Sequence, residues 1–249
     1  MIVGLDTYDD SEHYRDLNYC ENDANDWGDQ LSNTPGLKFD RVEKYFDNEN
    51  DPGCDGQATE HNVKQALNNM INSIDNGDIV VFIFSGHSYN KSGNYGLCMW
   101  DCEMGQQGED GILNATEILS IFNASTAEKM FLFFDSCHSF GIRNTLDDLS
   151  NKDTLFFSAA ADWDEIAYED KDNYNGCWTR CFLEESWQIF YNGDINEDFE
   201  NIFFKGLDKY YDHTGDPDYE TDKQKPKRWN HYRDVHGIFC LSKYGITPP

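Results

Sequence analysis

Two short apolar runs constrain this chain more than anything else in it. The first, Ile79-Val80-Val81-Phe82-Ile83-Phe84, breaks into Ser85-Gly86-His87. The second, Phe131-Leu132-Phe133-Phe134, breaks into Asp135-Ser136-Cys137-His138. Neither run alternates polar with apolar residues, so both predict strands buried on two faces, as in a parallel sheet. In such sheets ligands bind beyond the carboxyl ends of the strands. The pattern therefore puts an imidazole and a thiol at the edge where chemistry occurs.

The rest of the chain alternates the same way. Ile2 to Leu5 predicts a first strand, and Glu21 to Leu31 a helix with Ala24, Trp27 and Leu31 on one face. Val42 to Phe46 predicts a second strand. Thr59 caps a helix whose Val63, Ala66, Leu67, Met70, Ile71 and Ile74 form a stripe at spacings of three and four. Loop is expected from His87 to Gly111, save for a short strand at Leu97 to Trp100. Helices are expected at 115–122, 179–191 and 198–211, and strands at 155–157 and 237–241. Residues 141–153 form a polar connector and 212–228 a charged loop. Strands alternating with helices predict an α/β fold in three layers, with a mainly parallel central sheet flanked by helices.

The chain has 249 residues and a net charge of −28, which disfavours nucleic acid or an anionic membrane as partner and favours a cationic one. No run is long enough to span a bilayer. The 8 cysteines, with no signal peptide ahead of them, read as reduced thiols of a cytoplasmic protein. Cys98/Cys102 and Cys177/Cys181 lack the usual two-residue zinc spacing, so no metal site is expected there.

A thiol attacks a carbonyl as thiolate, and an imidazole beside it makes that form. His87 stands 50 residues before Cys137, a separation seen in caspases. Taken alone, either residue is more often an inert core side chain; the matched strand-end contexts favour catalysis. His138, next to the thiol in sequence, is the weaker candidate base.

"FIFSGHS" and "FLFFDSCHSFG" resemble the strand ends of the caspase/metacaspase superfamily, SGHG and D-[SAC]-C-H/R-S-G. "IVGLDTY…LNYCENDANDWGDQL" resembles the metacaspase opening with its C-x-N-D-A motif, and "NGCWTRCFLEESW" the later G-x-F-T helix start. The resemblance covers nearly the whole chain. It implies one caspase-like domain over 1–249, with a large-subunit-like part (1–142), a short type I-like connector (143–153), a small-subunit-like part (154–249) and no prodomain. It implies a cysteine endopeptidase with His87 and Cys137 as dyad and the backbone N–H groups of Ser88 and Cys137 as oxyanion donors. Cys20, Asp23, Ser85 and Asp162 would form a pocket for Arg or Lys, with Asp164 and Glu165 as rivals of Asp162; two carboxylates suit a cation. An ordinary place for Asp23 is the first turn of a helix, where a carboxylate is favourable anyway. Arg143 and Lys152 are the implied self-cleavage points.

This sequence departs from the family at three places. Ser88 replaces the Gly after the catalytic His, and Phe140 is inserted before Gly141. The Asp pair that binds activating calcium is replaced by residues 112–117, "ILNATE"; Asp101, Glu109 and Asp110 lie nearby. No cofactor and no strict calcium requirement are therefore expected. A monomer is implied, acting on peptides or proteins with basic residues. The alternatives are an impaired caspase-like pseudo-protease acting as a binding module, a clostripain-, gingipain- or legumain-like protease, or an acid-specific caspase, which would need arginines that the matched motifs lack.

Overall fold

The computed structural model describes residues 1–33, 39–103, 111–191, 202–208 and 226–230. The expected strand at 237–241 and both ends of the helix at 198–211 lie outside them. Among the described residues, β1 (Ile2–Gly4), β2 (Lys44–Phe46), β3 (Gly56–Gln57), β4 (Ile79–Ser85), β8 (Lys129–Asp135), β9 (Leu155–Ala159) and β12 (Lys227–Asn230) form a seven-stranded sheet in the order β12-β9-β8-β4-β1-β2-β3. All pairs are parallel except β12 with β9. Successive strands leave β1 on both sides, so the order reverses between β1 and β4, where such sheets open a crevice.

Side-chain alternation sends each strand's residues into two cores. Val80, Phe82, Phe84, Leu132 and Phe134 face one layer, with α2 (Glu60–Ser73) and α3 (Ala115–Asn123). Val81, Ile83, Phe131 and Phe133 face the other, with α1 (Cys20–Asn33), α5 (Cys177–Tyr191) and the helix at 202–208. Two aromatic-rich faces explain why these strands carry no polar alternation. Fully burying each large apolar side chain contributes about 1.5–3 kcal/mol. Thr59 caps α2 by accepting from Asn62 N at 3.2 Å. Asn114 and Glu117 form a reciprocal capping box on α3.

Three expectations change. The stretch after His87 is a three-stranded sheet of β5 (Ser88–Lys91), β6 (Asn94–Cys98) and β7 (Ile112–Asn114), not mainly loop. Its hairpin turns at Ser92 and Gly93, with φ of 55° and 82°, as a two-residue turn of the right twist requires. The connector after Cys137 is structured as a 3-10 turn (Ser139–Ile142), α4 (Arg143–Leu146) and a second 3-10 turn (Lys152–Thr154), because Leu146 and Leu149 are buried. The charged stretch before residue 228 ends in β12, whose pairing covers the β9 edge.

Candidate active site

The register of β4 and β8 builds the site. Ser85 pairs with Asp135, so the two strands end level. His87 and Cys137 each follow two residues later, on adjacent loops. Gly86 N donates to Asp135 O at 3.3 Å and ties those loops together.

His87 is held from three sides. Its Nε2 lies 2.6 Å from the Arg15 carbonyl, which only accepts, so Nε2 carries the proton and Nδ1 is the basic nitrogen. Its backbone N donates to Tyr8 Oη at 2.7 Å. The rings of Tyr8 and Tyr14 pack on the imidazole at centroid distances of 5.1 and 5.9 Å. The segment 8–19, between β1 and α1, thus supplies the histidine's walls.

Cys137 is half-buried, and Ala167 N donates to its Sγ at 3.3 Å. Burial pushes the thiol up; the Ala167 N–H works against that, and Asp135 adds to it. Among the described residues no hydrogen bond joins His87 to Cys137, and burial favours the neutral thiol. The loop over the thiol is latched by His138 N to Glu165 O at 2.8 Å and Phe140 N to Ala161 O at 3.0 Å. His138 sits at φ 53° and serves that latch through its backbone, while its Nδ1 is buried without a partner.

The departures are absorbed by packing. Ser88 is extended in β5, so its Cβ meets no left-handed strain. Cys98 N donates to His87 O at 3.0 Å, which makes Ser88 and Leu97 a non-hydrogen-bonded pair and turns the Ser88 N–H away from β6. The Ser88 hydroxyl donates to the Cys137 carbonyl, a link glycine cannot make. Phe140 stacks parallel to Phe157 at 6.1 Å, and Gly141 fits where a Cβ would lie 2.2 Å from the Tyr95 ring.

Beside the thiol lies a buried acidic cluster. Asp23 is fully buried; its Oδ2 accepts from Ser85 Oγ at 2.6 Å, and its Oδ1 from Asn175 Nδ2 at 3.0 Å and Gly176 N at 2.9 Å. The Cys20 thiol lies against Ser85 and Asp23 and is pushed up by its burial. The structure thus brings Cys20, Asp23 and Ser85 together. Asp162 is not brought to them in this structure and pairs with Lys227 at 3.2 Å. The carboxylate nearest to Asp23 across Gly176 is that of Asp135, whose Oδ2 accepts from Thr179 N at 2.8 Å in the first turn of α5. Gly176, in the short strand β11 (Asn175–Gly176) that pairs with β10 (Glu169–Asp170), passes between the two acids: a Cβ there would lie 2.4 Å from Asp135 Oδ2 and 2.8 Å from Asp23 Oδ2. Burial pushes both carboxyls up, that of Asp135 to about 6; the Asp135 charge adds to the effect at Asp23. Among the described residues no lysine or arginine pairs with either. Sequence reasoning misses Asp135 because its place in D-S-C-H makes it look like part of the nucleophile motif. The signal that could have found it is its equivalence to Ser85, two residues before the reactive side chain on the neighbouring strand.

The remaining candidates sit elsewhere. Arg143 pairs with Asp147 at 2.9 Å, and Lys152 Nζ donates to Asp147 O at 2.7 Å, so both self-cleavage candidates are folded in. Asp164 is exposed, and the Glu165 side chain accepts from Asp162 N at 3.3 Å. Where an Asp pair would bind calcium, Asn114 caps α3 and Glu117 pairs with Lys64 at 2.7 Å. Asp101 accepts from Glu60 N at 2.8 Å, while Glu109 and Asp110 lie outside the described residues. Oxygens of Glu21, Asp47 and Asp51, all within 4.8 Å of one another, could hold a cation. The seven described cysteines are thiols, none of them in a disulfide. No helix of the described residues is long and apolar enough to cross a membrane.

This arrangement of His and Cys strand ends defines a caspase-like protein. The chain belongs to the caspase-domain family, whose model matches residues 1–228. It is similar in fold to the crystal structure of protein GSU0716 from Geobacter sulfurreducens, with a TM-score of 0.63 and 16% identity over 94% of this chain and 93% of that one. No curated protein matches it.

Proposed function

We propose that the protein is a cysteine endopeptidase of metacaspase type that cleaves after Arg or Lys. The observation that carries this is the buried Asp23–Asp135 pair, which has no basic partner among the described residues. Two like charges a short distance apart in a dry site are unfavourable unless a cation joins them or a proton stays on one. A substrate guanidinium or ammonium supplies that cation, and Ser85 and Cys20 complete the pocket walls.

The chemistry follows from the residues named. His87 Nδ1 takes the proton from Cys137 Sγ, and the thiolate adds to the carbonyl carbon. The N–H groups of Ser88 and Cys137 receive the oxyanion. His87 returns the proton to the leaving amine, and water then releases the acyl group from sulfur. The resting contacts must open first. Ala167 moves off Sγ, and the 162–168 loop lifts to admit a side chain to acids that are now enclosed. The reading needs no calcium and no cofactor, and it suits a cytoplasmic monomer acting on basic peptides or proteins. Self-cleavage at Arg143 or Lys152 requires α4 or the adjoining 3-10 turn to unfold locally.

A peptidyl acyloxymethyl ketone ending in Arg tests this. Intact mass should show one adduct, lost in Cys137→Ala, and tenfold slower labelling by the Asp analogue. The closed loop and the unjoined His87 and Cys137 favour a second reading, an impaired caspase-like binding module. No labelling by either reagent would support it.

A further inference from the structure

Between α1 and α5 one side chain joins the acid pair to the surface. Asn175 is 8% exposed, and its Nδ2 lies 3.0 Å from Asp23 Oδ1 and 2.9 Å from Asp26 Oδ2. An amide nitrogen has two hydrogens, so each carboxylate takes one. Asp26 is exposed, and with Asn173, Arg180, Leu183 and Glu184 it lines a polar cleft of about 170 Å³. Asn175 is therefore the wall between that cleft and the buried pocket.

We propose that Asn175 is a positioning residue for recognition of the basic side chain: anchored by Asp26 at the surface, its amide holds the Asp23 carboxylate facing Ser85 and Asp135 and favours its charged form when a cation enters. The inference rests on the proposed pocket and deepens it. Asp23 has two jobs to reconcile. It must ionise to pair with a cation, yet burial and Asp135 favour its protonated form. Donors to the ionised form oppose both effects. Ser85 Oγ, Gly176 N and Asn175 Nδ2 are those donors. The hydroxyl can rotate to accept from a protonated Asp23 instead, whereas an amide N–H only donates. Among the described residues, Asn175 is thus the one donating side chain that discriminates between the two states.

Among the described residues, the ionisable groups facing Asp23 are Cys20 and Asp26 on α1, Asp135 on β8 and Cys177 on α5. Burial pushes both thiols up, so they stay neutral. The balance lies among three carboxylates and one amide. Reversing the amide to a carboxylate adds a repelling charge, and removing Asp26 frees the amide to turn away.

The test uses the full chain with Asn175→Asp, Asp26→Ala and Asp26→Asn. Carboxyl 13C NMR follows the Asp23 titration, and an Arg-ended fluorogenic peptide gives KM and kcat. Asn175→Asp should raise the Asp23 midpoint by about one pH unit and KM about tenfold, the equivalent in binding, with a smaller change in kcat. Asp26→Ala should shift both in the same direction. Asp26→Asn, whose side-chain oxygen still accepts, should restore wild-type values. An Asp23 midpoint unmoved in Asn175→Asp, or Asp26→Ala behaving like Asp26→Asn, would overturn the proposal. Should Asn175→Asp not fold, the two variants at exposed Asp26 decide. If wild type turns over no peptide, the proteolytic reading fails, while the NMR titration still decides the role of Asn175.

Discussion

Asp135→Asn should make the protein more stable and less active at neutral pH. Burial raises the Asp135 carboxyl from 3.8 to about 6, with Glu169 adding and the Thr179 hydrogen bonds opposing. The folded chain then holds this proton more tightly than the unfolded one. The resulting stabilisation is complete below about pH 4, declines as pH rises through about 6, and is absent above that. A rise of about two pH units is worth about 3 kcal/mol, at about 1.4 kcal/mol for each tenfold change in proton affinity. Asn keeps the oxygen that accepts from Thr179 N and carries no charge, so it resembles protonated Asp at every pH. Urea unfolding should show the variant close to wild type at about pH 4. At about pH 7.5 it should be more stable by up to about 3 kcal/mol, a midpoint shift of about 1 M or more. The same variant should raise KM for an Arg peptide. Equal stability differences at both pH values, or a variant less stable than wild type at the higher one, would refute the claim that an uncompensated acid is buried there.

Other consequences follow from the same geometry. Gly176→Ala forces a methyl between the two carboxylates; it should cost about 1–3 kcal/mol in thermal unfolding and weaken Arg-peptide turnover. Leu146→Ala removes the anchor of α4, should cost about 2–5 kcal/mol, and should speed tryptic nicking at Arg143 and Lys152. Alkylation of Cys137 by iodoacetamide should rise with pH through a midpoint above that of an ordinary cysteine, because burial holds the resting thiol protonated. Activity that survives chelation of divalent cations is expected, and abolition by chelator with rescue by calcium would show that a cation site is required.

What is legible in the sequence is what repeats or runs unbroken. β4 and β8 can be read because aromatic and aliphatic neighbours in a row leave no polar face, and α2 because its stripe recurs at three and four. Asp23, Cys20 and Ser85 are placed through the resemblance of their motifs, and the fold brings them into contact. The β5–β6 hairpin is hidden because Tyr89, Asn90 and Lys91 carry a mostly polar edge, leaving only Ser92-Gly93 as a turn signal. The connector reads as polar because two buried leucines among charges give too short a stripe. The approach of Asp135 to Asp23 is illegible because it depends on a register between strands far apart in sequence, and the pairing of Asp162 with Lys227 gives no signal in the sequence either. Asn175 gives no signal, since an asparagine in a turn is expected for its backbone rather than for an amide shared by two acids.

The proposed activity stands on one thiol and one acidic pocket acting together. The most direct measurement is kcat/KM for matched fluorogenic peptides ending in Arg and in Asp, with wild type and Cys137→Ala. The expected result is turnover of the Arg peptide by wild type alone and little of the Asp peptide by either. Turnover of the Asp peptide in preference, or Arg cleavage that persists in Cys137→Ala, would contradict it.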